Sequence, residues 1–286
     1  MADVAVFTPR SIEKIASDIP GAEGPLVTRD GRIFMVEPRS GSIFEIDAKD
    51  GTKSLLANTG GIPAGLQLHA DGSIWVADMK LGILRVSIED GRIEPIVTTY
   101  EGQPIRGCND CSFDSQGNLY FTAPAGSNGD VACGEFFCRL NDGTVRRLDG
   151  GFRFCNGIAV SADDRLVIVA ETFTKQLHGY RLSAPGVVGE KFLFGTLPGD
   201  HKGGPDGIDF DVDGHLIATN WGGGHLEIFS ADGVLIQRAA LPFDGLSNLH
   251  FTGPGSTTLL ITEHSNNALW RCEWPTSGQI QYGWTN

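Results

Sequence analysis

Six positions in this chain stand at one fixed place relative to a repeated turn, and five of them carry a side-chain oxygen. Eight residues before the last position of each turn lie Glu23, Ala64, Asn109, Asn156, Asp206 and Ser247. Two carboxylates, two amides and a hydroxyl, with no thiolate or imidazole among them, are the donor set of a hard cation. Calcium fits best, since it takes roughly six to eight oxygens in irregular geometry. Glu23, Asn109, Asn156 and Asp206 are the candidate ligands, and they leave coordination positions for water or a substrate oxygen. Ser247 is the weakest of the five and would reach the ion through water. Asn, Asp and Ser are also ordinary turn residues, so no single position carries the reading. Glu23, which is no turn former, and the column as a set carry it.

The elements that must position this column are written six times. The units open at Glu23 (EGPLVTRDGRIFMVEPRSGSIFEID), Pro63 (PAGLQLHADGSIWVADMKLGILRVSIEDG), Cys108 (CNDCSFDSQGNLYFTAPAG, resuming as GEFFCRLNDG), Cys155 (CNGIAVSADDRLVIVAETFTKQLHGYRL), Pro205 (PDGIDFDVDGHLIATNWGGGHLEIFSADG) and Ser247 (SNLHFTGPGSTTLLITEHSNNALWRCEW). Short runs rich in β-branched and aromatic residues, bounded by Gly, Asp and Ser, predict strands. A recurrence of about 40 to 50 residues is the period of propeller blades. The expected fold is all-β: a six-bladed β-propeller in one domain, residues 1–286, with a central metal-binding channel. The innermost strands of a propeller line that channel, so the column becomes a ring of oxygens around one axis. Ala64 breaks the ring and predicts an opening on one side. Only SIEKIASDI near the N-terminus reads as a short helix. Residues 4–19 and 279–284 are left over and are available to close the ring.

Composition agrees. The 286 residues include 39 Gly and 14 Pro, suited to many tight turns, and 41% apolar residues, enough for a sizeable core. The formal net charge of −13 repels phosphate backbones and anionic headgroups. Nucleic acid and membrane are therefore poor partners, and a small-molecule substrate is the expected one; protein partners are not readable. No leader-like or membrane-spanning run is visible, and a cytoplasmic protein is expected. In that compartment Cys108, Cys111, Cys133, Cys138, Cys155 and Cys272 would be reduced thiols.

Three motifs are set aside. Asp209–Gly214, DFDVDG, opens like an EF-hand loop, but its twelfth position is Asn220, flanking helices are missing, and a hairpin turn is the better reading. Cys108 and Cys111 have zinc-knuckle spacing without a second pair and read as buried thiols. Gly60–Gly65, GGIPAG, lacks the lysine of a phosphate-binding loop.

DIPGAEGP, GGIPAG, VADMKLGIL, GCNDCSFD, GNLYFTAPAG, NGIAV, VAETFTK, GPDGIDFD, TNWGGGH, SNLHF and TEHSNNALW together resemble the gluconolactonase, senescence-marker-protein and luciferin-regenerating family, and the similarity runs through all six units. The resemblance implies two calcium ions in the channel. The catalytic one would be held by Glu23, Asn109, Asn156 and Asp206, the residues the column selects independently. A structural one would take Asp209, His250 and the backbone oxygen of Leu249. Asp110 would support the catalytic ion from beside the pocket, and Met79, Trp221 and His264 would line the pocket. The pattern departs around Ser127–Cys133, which is short and carries no arginine, and at Phe173, where a smaller residue is expected.

The chemistry this implies is calcium-dependent hydrolysis of organophosphorus (P–F) esters and/or lactones. Asp206 would be the reactive carboxylate, either nucleophile or general base on water. His264 reads as pocket wall and not as an essential base. A sugar-type or other small-molecule lactonase is the alternative, and a non-catalytic calcium-binding scaffold is the third class.

Overall fold

The computed structural model describes residues 4–285. The repeated turn is the unit from which the architecture is built. Each joins the first strand of a blade to the second as an antiparallel hairpin, and its last residue sits in the left-handed region. Gly31 has φ 84° and Gly214 has φ 78°, and Asp164, which stands in for glycine in the fourth unit, still adopts φ 56°. An aspartate can do this because its short polar side chain tolerates that region better than most.

Six antiparallel sheets follow in chain order. Blade one is Glu23–Val27, Ile33–Glu37, Ser42–Ile46 and Lys53–Asn58. Blade two is Pro63–Leu68, Ile74–Asp78, Gly82–Val86 and Ile93–Val97. Blade three is Cys111–Phe113, Leu119–Ala123, Gly134–Arg139 and Val145–Phe152. Blade four is Cys155–Val160, Leu166–Glu171, Gln176–Ala184 and Phe192–Thr196. Blade five is Pro205–Phe210, Leu216–Asn220, His225–Phe229 and Leu235–Ala240. Blade six takes Leu246–Phe251, Thr258–Glu263 and Ala268–Glu273 from the end of the chain and its outer strand from the beginning. The innermost strands neighbour one another in a closed circle, with blade six against blade one. The fold is the expected six-bladed propeller.

The N-terminal segment closes the ring. SIEKIASDI is not helical: Arg10–Ala16 is the outer strand of blade six, antiparallel to Ala268–Glu273. The misreading comes from burial on both faces of the strand. Residues three apart on a strand point to opposite faces, so Ile12 reaches the core between blades five and six and Ile15 the core between six and one, at a spacing that imitates a helix. Ala5–Phe7 adds a parallel edge strand to blade five.

Six apolar clusters hold the blades, one at each interface. Between blades one and two, for example, Leu26, Phe34 and Val36 meet Leu66, Ile74 and Val76. The wedge between neighbouring sheets is therefore the core, and the axis is left to polar groups. Hydroxyls stitch the inner strands together. Thr122 of blade three donates to the Asn156 carbonyl of blade four at 2.6 Å, and Thr172 to the Pro205 carbonyl of blade five at 2.8 Å. Thr219 donates to the Ser247 carbonyl of blade six at 3.3 Å, and Ser247 to the Ala22 carbonyl before blade one at 2.7 Å.

The C-terminal segment straps the channel floor, the end where the repeated turns lie. Gly278 bridges Asp211, the Gln279 backbone N–H donates to Phe210, and the Gln279 amide donates to the Val160 carbonyl at 2.7 Å. Tyr282 packs on His69 and Phe113, with ring centroids 5.2 Å apart in each case. The Gly283 carbonyl accepts from Arg29 at 2.7 Å.

Candidate metal centre

Because every inner strand starts at the same mouth, the column converges there. Glu23, Asn156 and Asp206 lie on inner strands, and Asn109 two residues before one. The residue after the column position is glycine in four blades, and each packs where a Cβ would collide with the next strand. A Cβ on Gly157 would meet the Asp206 carbonyl at 2.3 Å, and one on Gly65 would meet Asp110 Oδ1 at 2.5 Å. These glycines let the strands draw close enough to crowd their carboxylates.

That crowding is visible in the electrostatics. Asp206 is buried and its carboxyl is pushed well above the usual range, first by burial, then by the charges of Glu23 and Asp110, with Asn156 opposing. Asp110 is pushed up to about 8 by burial, with Glu23 and Asp209 adding and the Cys111 N–H, donated at 2.8 Å, opposing. Asp206 feels the charges of both Glu23 and Asp110, and Asp110 that of Glu23, a crowding of carboxylates that a cation would relieve. The donor set is all oxygen and suits a hard divalent ion. Asn156 Nδ2 donates to Thr172 Oγ1 at 3.1 Å, which turns its carbonyl oxygen away from that bond and frees it as a donor to a cation.

Ser247 does not join the ring. Its fully buried hydroxyl is spent on the Ala22 carbonyl and on Thr262 Oγ1 at 2.9 Å. The column position in blade six is thus an interblade clamp, which corrects the expectation of a water-mediated ligand.

One step deeper, Asp110, Asp209, Leu249 and His250 line an enclosed cavity of about 20 Å³. That is room for one ion or water. His250 Nε2 is buried and has no hydrogen-bond partner. Burial pulls the imidazole down to about 4, so it is neutral near pH 7 and offers a lone pair. Burial lifts Asp209 to about 7 against bonds from the Phe210 N–H and the Gln281 amide, the latter at 3.0 Å. An orphaned imidazole, a strained carboxylate and a cavity of ionic size fit a second cation. Asp110 lines this deeper cavity, and its charge also reaches Asp206 at the mouth.

Trp221 and His264 are joined at the mouth. The indole N–H donates to His264 Nδ1 at 3.2 Å, and His264 Nε2 lies 3.6 Å from Glu23 Oε1. Met79 is at the rim between blades two and three, where its carbonyl accepts the Gly107 N–H at 2.7 Å. Phe173 is half exposed and packs on Phe154. The hydroxyl relay of Thr122, Thr172, Thr219 and Thr262 escaped the sequence reading; its signal was the threonine recurring within one residue of the end of the second strand.

Asp211, Asp213 and His215 also gather, in the turn set aside as an EF-hand. Asp211 accepts from the backbone N–H groups of Asp213 and His215, from the His215 ring and from Thr276, as a hairpin turn does. Among the described cysteines all are free, and burial pushes the Cys155 thiol up to about 12. No helix among the described residues is long and apolar enough to cross a membrane.

The fold is a six-bladed propeller with carboxylate and amide side chains gathered at one mouth of its channel. The chain belongs to the SMP-30/gluconolactonase/LRE-like family, whose pattern matches residues 21–265. It is 42% identical to the diisopropyl-fluorophosphatase of Loligo vulgaris, over 94% of each chain. It is 27% identical to the gluconolactonase of Zymomonas mobilis, over 91% of this chain and 80% of that one. A calcium-binding protein, regucalcin, from Agrobacterium tumefaciens shares the fold, with TM-score 0.82, 21% identity and full coverage of both chains.

Proposed function

We propose that this protein is a calcium-dependent hydrolase acting on organophosphorus esters with a P–F bond and on lactones, with Asp206 as its reactive carboxylate. The observation that carries the reading is the meeting of Glu23, Asp110 and Asp206 at one mouth, where Glu23 and Asp110 both raise the proton affinity of the buried Asp206. Glu23, Asn109, Asn156 and Asp206 would hold the catalytic ion, and Asp209, His250 and the Leu249 carbonyl a structural one. Bound calcium supplies a Lewis acid that polarises a phosphoryl or carbonyl oxygen.

The chain's own groups do the rest. Positive charge at the site offsets the burial of Asp206 and the charges of Glu23 and Asp110, and so favours its ionised, reactive form. Its carboxylate then attacks the electrophilic centre, breaking the P–F or lactone C–O bond, and is freed when water hydrolyses the resulting anhydride; or it takes a proton from a water that displaces the same leaving group directly. Trp221 and His264 form one wall and keep Glu23 oriented. Met79 forms the opposite rim. The fluorophosphatase named above is the relative with the higher identity, which supports P–F chemistry before sugar-lactone chemistry.

The test is turnover of diisopropyl fluorophosphate and of a lactone panel by wild type and Asp206→Asn. The variant should lose at least about a thousandfold in kcat while keeping its fold. A calcium-replete variant that turns over at the wild-type rate removes Asp206 from the role. Single turnover in ¹⁸O-labelled water separates the two modes, since a nucleophilic carboxylate delivers unlabelled oxygen first.

A further inference from the structure

A lysine and a histidine meet on the mouth face between blades four and five. Lys175 follows the second strand of blade four, and His201 lies in the loop that leads into Pro205–Phe210. Lys175 Nζ and His201 Nε2 are 3.1 Å apart, and both residues are partly open to solvent.

The neighbours decide where the hydrogen on that imidazole lies. Asn220 is fully buried, and its amide nitrogen donates to the Pro198 carbonyl at 3.2 Å and to Glu227 Oε1 at 2.8 Å. Glu227, also fully buried, accepts from Arg238 at 2.7 and 2.8 Å, so it is a carboxylate and an acceptor only. The amide is therefore locked, and Asn220 Oδ1 faces His201 Nε2 at 2.9 Å. Nε2 must carry a hydrogen and donate it. An ammonium at Lys175 would then set N–H against N–H, whereas a neutral amine accepts a share of the same hydrogen. Burial also pulls the Lys175 amine below the usual lysine range, with the charge of Asp200 opposing.

The backbone builds this meeting in. Lys175 takes φ 58°, a left-handed conformation that a long side chain rarely adopts. Its turn lies against Gly204, where a Cβ would come within 3.3 Å of Lys175 Cα. On the other side, a Cβ on Gly223 would meet the imidazole Cε1 at 2.8 Å, and one on Gly222 would meet Cδ2 at 3.1 Å. The glycines of TNWGGGH thus clear the seat of the ring.

We propose that Lys175 is a carbonyl-reactive amine, a site at which small aldehydes are taken up reversibly as imines. A free amine is the nucleophile this needs, and the adjacent Nε2–H is a donor for the oxygen that the addition creates. Nζ bonds to the carbonyl carbon, the C–O bond breaks, and the oxygen leaves as water with the two amine protons as C=N forms. The proposal is independent of the hydrolase reading and uses none of the residues given to the cations.

The experiment treats the whole protein near pH 7, where an ordinary lysine is protonated, with propionaldehyde and cyanoborohydride. Hydride from the cyanoborohydride reduces the C=N bond and makes the adduct permanent, and peptide mass spectrometry reads the rate at each lysine. Lys175 should be labelled at least about fivefold faster than any other lysine. His201→Glu should abolish that advantage, because a carboxylate there favours the ammonium. His201→Gln, whose amide still donates, should stay within about twofold of wild type. Circular dichroism melts check that both variants fold. Even labelling across the lysines, a wild-type rate in His201→Glu, or an equal loss in both variants overturns the proposal.

Discussion

The indole N–H of Trp221 is donated to Nδ1 of His264 at 3.2 Å, and this bond fixes which imidazole nitrogen carries the proton. With Nδ1 accepting, Nε2 bears hydrogen and faces Glu23 at 3.6 Å. Burial pulls the imidazole down, and the Glu23 carboxylate outweighs it, so the net shift is upward. A nitrogen that already holds a proton beside a carboxylate is a poor base. His264→Asn should therefore keep kcat for diisopropyl fluorophosphate within about tenfold of wild type, whereas loss of an essential base costs roughly a hundred- to ten-thousandfold. Steady-state kinetics with the metal site saturated checks this.

Removing the cations should make stability fall as pH rises. Asp110 and Asp209 have folded-state values of about 8 and about 7, above the unfolded value near 4. The folded state then binds more protons than the unfolded one between about pH 4 and pH 8, so the stabilisation is complete below that window and lost across it. Thermal melts of chelated protein should show Tm dropping from pH 5 to pH 8, and calcium should flatten the slope. Asp110→Asn should flatten the chelated slope as well.

Ser247→Ala should weaken the fold and leave calcium affinity alone. Two hydrogen bonds are lost, and the Ala22 carbonyl at the junction of blades six and one loses its donor. A cost of about 1 to 3 kcal/mol is expected from denaturant unfolding. A calorimetric calcium titration that weakens as well would return Ser247 to the ligand ring.

Gln281 holds Asp209 from the strap that crosses the floor. Gln281→Ala should free that carboxylate and loosen the floor, so that one bound calcium leaves faster to a chelator while the ion at the mouth is unaffected. Stopped-flow release with a fluorescent chelator should resolve two phases in wild type, with the slower one accelerated in the variant.

The repeat was legible because each hairpin needs its own local signal, a left-handed residue at the turn and short β-rich runs around it. TRDG, HADG and DVDG gave the blades and, by counting, brought Glu23, Asn109, Asn156 and Asp206 to one mouth. What escaped was set by partners far away in the chain. Arg10–Ala16 is a strand because Ala268–Glu273 offers it an edge, and burial of its two faces in different cores gives it helix-like spacing. Ser247 has the column's position but answers to Ala22 across the ring closure.

The most direct measurement is fluoride release from diisopropyl fluorophosphate by one preparation, assayed with calcium, after exhaustive chelation, and after calcium is restored. The oxygen ring at the mouth predicts turnover that disappears on chelation and returns with calcium, with the fold intact throughout by circular dichroism. Undiminished turnover by the chelated protein would contradict a calcium-dependent centre built on Glu23, Asn109, Asn156 and Asp206.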